Sequence, residues 1–153
     1  MLYPITRPLA KLTLSLFFRE LYFSHAERIP KDKAVILAAN HPTAFLEPCI
    51  LACWLEMPIY FMVRGDIFSK HWANRILRDL HMIPVFRKKD GGLKQVRQNH
   101  QSLDEATRVL CKKSPLLVMA EGGTNGERRL KPLQKGVARL ALKTHHEFPE
   151  LDV

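Results

Sequence analysis

Four short apolar runs punctuate the chain: AVILAA (34–39), IYFMV (59–63), MIPVF (82–86) and PLLVMA (115–120). Each is too short for a helix and rich in aliphatic, β-branched or aromatic residues, which is the pattern of strands buried on both faces. The intervening segments are longer. FLEPCILACWLE (45–56) has helical spacing, a mixed stretch from Ile67 to Leu80 and another from Leu93 to Lys112 lead into the third and fourth runs, and a last helix is expected from near Leu133 to about His145. Connections of this length carry crossover helices. The alternation predicts an α/β domain with a largely parallel central sheet flanked by helices. No internal repeat, low-complexity segment or linker interrupts it, so the 153 residues read as one domain.

Ahead of the first run lies PLAKLTLSLFFRELYF, within residues 1–24. Lys11, Arg19 and Glu20 interrupt it, whereas a spanning helix needs about 20 mostly apolar residues. It also lacks the small-residue cleavage site of a signal peptide. At helical spacing Lys11, Ser15 and Arg19 share a narrow polar stripe, while Leu9, Leu12, Leu16 and Phe23 crowd another side. Such a helix suits either packing on the core or lying in a membrane surface.

Composition narrows the partners. Twenty-four Lys and Arg against fifteen Asp and Glu leave a formal charge of +9, which favours an anionic partner: nucleic acid, an anionic membrane surface or a phosphorylated substrate. The basic clusters are accompanied by no RNA-binding aromatic motif or DNA-reading helix, which disfavours nucleic acid. Three cysteines, Cys49, Cys53 and Cys111, form no Cys-x-x-Cys pair and fit buried thiols in a reducing compartment rather than disulfides or zinc.

Every run gives way to polar or turn-forming residues: Asn40 and His41 after the first, Arg64 after the second, Arg87 after the third, Glu121 and Gly122 after the fourth. Ligands of open α/β sheets bind beyond the carboxyl ends of the strands, so parallel strands would gather these groups in one crevice. His41 opens a turn stiffened by Pro42, and Glu47 stands near enough to return to the ring. A carboxylate accepting one ring N–H fixes the tautomer and leaves the other nitrogen to take a proton, the arrangement of a general base. No His-Glu-x-x-His pattern points to a metal at this position. Internal nucleophiles are poor: Cys49 and Cys53 lie four apart on an apolar helix, and Thr43 lies in no nucleophile elbow. The nucleophile is therefore expected to be a substrate hydroxyl, attacking an acyl donor directly. Arg87, first after its strand, can hold a phosphate with a planar fork, with Arg64 as a second cation. Lys88 and Lys89 read as solvated loop charges. In EGGTNGERRLKPLQKG two glycines permit close approach to a ligand, and Lys135 and Gly136 stand near a helix N-terminus suited to anions.

NHPTAFLEP, MIPVFRKKDG and MAEGGTNGERRLKPLQKG, in that order and spacing, resemble the first three blocks of the glycerol-3-phosphate and 1-acylglycerol-3-phosphate acyltransferase superfamily, from about Ala34 to Leu142. The resemblance implies transfer of a fatty acyl group from acyl-CoA or acyl-carrier protein to the hydroxyl of glycerol-3-phosphate or a lysophospholipid, in phospholipid biosynthesis. It places the catalytic pair on His41 and an acid, the phosphate-binding Arg on Arg87, and the Glu-Gly of the third block on Glu121 and Gly122, with Lys135 and Gly136 matching a further basic-glycine feature. The usual acidic position holds Leu46; Glu47 is one residue later and one methylene longer. Met119-Ala120 replaces the common Phe-Pro. The sequence stops at PELDV, where the family continues into another strand, so it reads as the N-terminal catalytic portion of a longer protein. The implied acyl carrier is a co-substrate, and no metal or redox cofactor is expected. With the N-terminal helix and the positive charge, the expected location is the cytoplasmic face of an anionic membrane, of the bacterial inner-membrane kind. The alternative is a non-catalytic, peripheral phospholipid-binding domain holding a headgroup in the same crevice.

Overall fold

The computed structural model describes residues 2–43, 45–86, 98–123 and 129–153. They form the expected α/β architecture: a four-stranded, wholly parallel sheet with five helices among the described residues. In chain order these are α1 (Tyr3–Phe17), β1 (Ile36–Ala39), α2 (Leu46–Trp54), β2 (Tyr60–Arg64), α3 (His71–Asp79), β3 (Met82–Val85), α4 (Asn99–Cys111), β4 (Leu116–Met119) and α5 (Gly136–Glu147). Short 3-10 turns occupy Ala26–Arg28 and Gly65–Phe68. Each strand lies in one of the four apolar runs, with Arg64 closing the second strand rather than following it.

The strand order is β1-β4-β2-β3, which places the last strand of the chain between the first two. Leu116 pairs with Ile36 on one side and Tyr60 on the other, and Leu117 with Leu37 and Phe61. Successive side chains of a strand point to opposite faces. Leu116 accordingly joins Ile83, Ala106, Val109, Leu110 and Leu140 under α4 and α5, while Leu117 joins Tyr3, Leu55, Ile59 and Phe61 under α1 and α2. Both leucines are at most 1% exposed. Each contributes roughly 1.5–3 kcal/mol by leaving water. The thickness of the domain is thus three layers. The α4–α5 contact is closed by the buried hydroxyls of Thr107 and Thr144, 3.4 Å apart, and by Lys143 donating to Asp104 at 2.8 Å. Leu151 returns to the α4–α5 side of the core, and Lys33 pairs with Asp152 at 2.6 Å.

Helix α1 begins earlier and ends earlier than the apolar pattern predicts. Pro8 lies inside it, where a proline removes one backbone hydrogen bond and crowds the preceding turn. Tertiary docking of the first turn offsets that cost. Tyr3 is 7% exposed, its hydroxyl accepts the Ile59 N–H at 3.2 Å, and its ring stacks on His81 at 4.3 Å between centroids. His81 stacks on Tyr60 from its other side, also at 4.3 Å. Arg7 donates to the Leu55 carbonyl, and Leu14 is buried. The opposite side is not covered: Ile5, Leu9, Leu12 and Leu16 recur at helical spacing and are 69%, 66%, 59% and 82% exposed. Among the described residues, no helix is long and apolar enough to cross a membrane.

Candidate active site

Because the strands are parallel, Ala39, Arg64, Val85 and Met119 end on one edge of the sheet. His41 stands two residues beyond β1, and Glu47 is the second residue of α2, where a carboxylate is favoured by the amino end of the helix dipole. Their side chains are 15% and 23% exposed, and His41 Nδ1 faces Glu47 Oε2 at 3.5 Å. Both atoms are buried and, among the described residues, have no hydrogen-bond partner. At 3.5 Å they stop short of the 2.7–3.2 Å of a formed bond. Each is nevertheless the group the other requires, and catalytic contacts commonly tighten only when substrate is bound. The second oxygen, Oε1, accepts the Thr43 N–H at 2.7 Å, which fixes the carboxylate's rotation. Burial works against the anion, but hydrogen bonds from the Thr43 backbone and hydroxyl, together with the charge of a protonated His41, hold the Glu47 carboxyl below its ordinary value. An ionised Glu47 on Nδ1 leaves Nε2 to receive a proton.

The end of β4 lies against the end of β1, since the Ala120 N–H donates to the Ala39 carbonyl at 3.0 Å. Glu121 comes next and is 8% exposed. Gly122 turns the chain with φ of 70°, in the left-handed region where a side chain is strained, and a Cβ there would lie 2.8 Å from Cγ of Gln134. The Gln134 N–H in turn donates to the Ala120 carbonyl at 2.7 Å. That bond brings the start of α5, with exposed Lys135 just before Gly136, to the same edge as Glu121 and Gly122. No acidic residue occupies the first turn of α5.

Arg64 is placed differently. It ends β2, two strands from β1, and its fork is engaged by Asp66: Nε donates to Oδ1 at 3.1 Å and Nη2 to Oδ2 at 2.5 Å. The sequence pattern does not single out Asp66; an opposite charge two residues on is its one signal, and only the 3-10 turn makes the pair meet. Thr43 contributes as a hydrogen-bond donor to Glu47, through its N–H and its hydroxyl. Arg87, Lys88 and Lys89 lie outside the described residues. Burial, with a smaller contribution from Cys53, pushes the Cys49 thiol up to about 11, and burial also raises Cys53, in keeping with packed, unreactive thiols.

A half-buried histidine-carboxylate pair on the carboxyl edge of a parallel sheet, beside a Glu-Gly turn and a basic helix start, suits proton abstraction from a hydroxyl next to an anion. The model of the family described as Acyltransferase matches residues 20–150. The chain belongs to the acyltransferase family. The match takes in all four strands and both members of the His41–Glu47 pair, and α1 precedes it. Acyl transfer is thus the reaction class, with an acyl donor and a lipid acceptor as its partners. No curated protein and no solved structure matches this acyltransferase.

Proposed function

We propose that the protein moves a fatty acyl group from acyl-CoA or acyl-carrier protein to the hydroxyl of glycerol-3-phosphate or a lysophospholipid, in phospholipid biosynthesis. The observation that carries this reading is the pair of orphaned buried atoms, His41 Nδ1 and Glu47 Oε2, facing each other at 3.5 Å on the sheet edge. Glu47 orients the imidazole. His41 takes the acceptor's proton on Nε2 as the hydroxyl oxygen attacks the thioester carbonyl; the new C–O bond forms, the C–S bond breaks, and the imidazolium returns its proton to the departing thiolate. The thioester is already activated, so the residues need no metal or redox cofactor to complete this step. Arg87 and Lys135 bind the acceptor phosphate, Arg64 joins them by exchanging Asp66 for the phosphate, and Glu121 with Gly122 shapes the acceptor site. The exposed leucines of α1 and the charge of +9 support a place on the cytoplasmic face of an anionic membrane, where acceptor and product reside.

The deciding experiment is thiol release from palmitoyl-CoA in detergent micelles, with glycerol-3-phosphate and lysophosphatidate supplied separately, for the wild type and His41→Ala. Acceptor-dependent release that disappears in the variant is the expected result. A His41→Ala protein with wild-type turnover would refute the mechanism, and a folded chain that binds phospholipid without turnover would support the non-catalytic alternative.

A further inference from the structure

Helix α3 has an apolar side wider than the body of the protein covers. At helical spacing Trp72, Ala73, Ile76 and Leu77 share one side of it, with His71, Asn74, Arg75 and Arg78 on the other. Ala73 and Leu77 are half-buried, but Trp72 and Ile76 beside them are 64% and 40% exposed. Ile67, in the 3-10 turn that leads into the helix, is 46% exposed. Of the five helices among the described residues, α3 is the most polar on average and divides its apolar from its polar residues most sharply. A helix of that make-up with an exposed tryptophan on its apolar side suits a lipid interface.

The free charges beside this patch are of one sign. Lys70, just ahead of α3, and Arg75 are exposed and make no ion pair among the described residues. Arg78, by contrast, is tied down, donating to Asn74 Oδ1 at 2.9 Å and to Glu105 Oε1 at 2.5 Å. From Ile67 to Leu80 the single acid is Asp79, half-buried at the far end of the helix, where its charge acts on His81. Apolar groups flanked by such cations fit a surface that offers hydrocarbon beneath a layer of anions. An indole settles at the boundary of hydrocarbon and headgroups, and a Lys or Arg near an anionic bilayer is drawn to it. The lipid acceptor of the family favours a bilayer over an acidic protein as the occupant.

The place of the patch in the fold gives it a use. The first turns of α1 are fastened near the amino edge of the sheet, Tyr3 to Ile59 just ahead of β2 and Arg7 to Leu55 at the end of α2. The start of α3 lies at the other edge. β2 runs out at Arg64 on the carboxyl edge, the turn Gly65–Phe68 follows, and α3 returns the chain to the start of the parallel strand β3. Trp72, in the first turn of α3, therefore stands towards the edge that carries His41 and Glu47. A bilayer that touches α1 alone leaves that edge free to tilt away. We propose that Ile67, Trp72 and Ile76, with Lys70 and Arg75, form a second membrane contact, which enters an anionic lipid surface and holds the carboxyl edge of the sheet against it. The proposal rests on the reading that the protein works at an anionic membrane.

The chain has two tryptophans, Trp54 and Trp72, so Trp54→Phe leaves Trp72 as its sole indole. Emission is followed on adding vesicles of phosphatidylcholine, alone or with phosphatidylglycerol, with and without brominated acyl chains as quenchers; co-sedimentation gives the binding constant. On the anionic vesicles Trp72 emission is expected to move to shorter wavelength and to be quenched by the bromines. Trp72→Ser with Ile76→Ser, and separately Lys70→Gln with Arg75→Gln, are each expected to weaken binding about tenfold, with little change in melting temperature because these side chains are exposed. If Trp54→Phe does not fold, the difference in emission between the wild type and Trp72→Phe gives the same reading. A wild type that binds the vesicles while Trp72 stays unquenched and both double variants bind as tightly overturns the inference; loss of that binding on replacing Leu9, Leu12 and Leu16 by glutamine then leaves the membrane reading standing on α1. A Trp72 that responds to acyl-carrier protein and not to vesicles, or patch variants that dissociate a dimer in sedimentation equilibrium, overturns the lipid assignment. A wild type that does not bind anionic vesicles overturns the membrane reading and the inference with it.

Discussion

Glu47 is held twice, by the Thr43 N–H on one oxygen and by its approach to His41 with the other. Replacing it with glutamine removes the anion that orients the imidazole and stabilises the charge it gains on taking the proton, so Glu47→Gln is expected to lower the turnover number. His41→Ala should lose about 10²–10⁴ in rate, the span of general acid–base contributions; kcat measured for the three proteins checks both outcomes. The sign for Glu47 itself comes from its lowered pKa. Its contribution to stability is complete above the ordinary carboxyl value, 4.5, and is lost as pH falls through the folded value, so it does not interfere near neutrality. His41, Glu121 and Gly122 were legible in the sequence because each closely follows an apolar run, and Glu47 because it lies one short turn on. The pairing of Arg64 with Asp66 and the part played by the Thr43 N–H were not. A main-chain donor has no signature in side-chain chemistry, and the ion pair depends on a turn that no periodicity announces.

At the scale of elements, α1 departs furthest from its pattern. Its apolar stripe is real, but the stripe is turned outward and the helix is pinned by Tyr3, Arg7 and Leu14 instead. Sequence periodicity finds a face and cannot say which way it points; the anchor depends on His81 and Tyr60, which are remote in sequence. Replacing Leu9, Leu12 and Leu16 together by glutamine should weaken binding to anionic vesicles by more than tenfold, since burying one leucine is worth roughly 1.5–3 kcal/mol. The melting temperature should stay within a few degrees, and co-sedimentation beside a melting curve separates the two effects. The pin has its own pH dependence. Burial lowers the His81 pKa from 6.5, outweighing a hydrogen bond to the Ile59 backbone and the Asp79 charge, both of which raise it. Above 6.5 the ring is neutral folded and unfolded, and its stabilisation is whole; below that the unfolded chain takes the proton more readily, and stability is lost as pH falls towards the folded value. Thermal melts from pH 7 to pH 5 should show the loss, and His81→Phe should flatten it even if its melting temperature is lower throughout.

On the scale of the whole molecule, the strands and the alternation with helices were legible because each strand is a short apolar run of its own. Their order was not, since β1 and β2 are equally suited to pairing with each other or with β4. Among the described residues β1 meets only β4 within the sheet, and β4 alone connects it to β2. A chain ending before Ser114 should therefore lack a cooperative unfolding transition by circular dichroism, although it keeps His41, Glu47 and three of the four strands. The placement of β4 has a further consequence while the protein is being made. At about 5–20 residues per second, β1 leaves the ribosome several seconds before the strand it needs, and β2 emerges meanwhile without its neighbour on that side. The two apolar segments that bracket the His41–Glu47 pair each wait for β4 with one edge uncovered for that interval, so soluble yield should respond to slower, cooler synthesis and to chaperones that shield nascent strands.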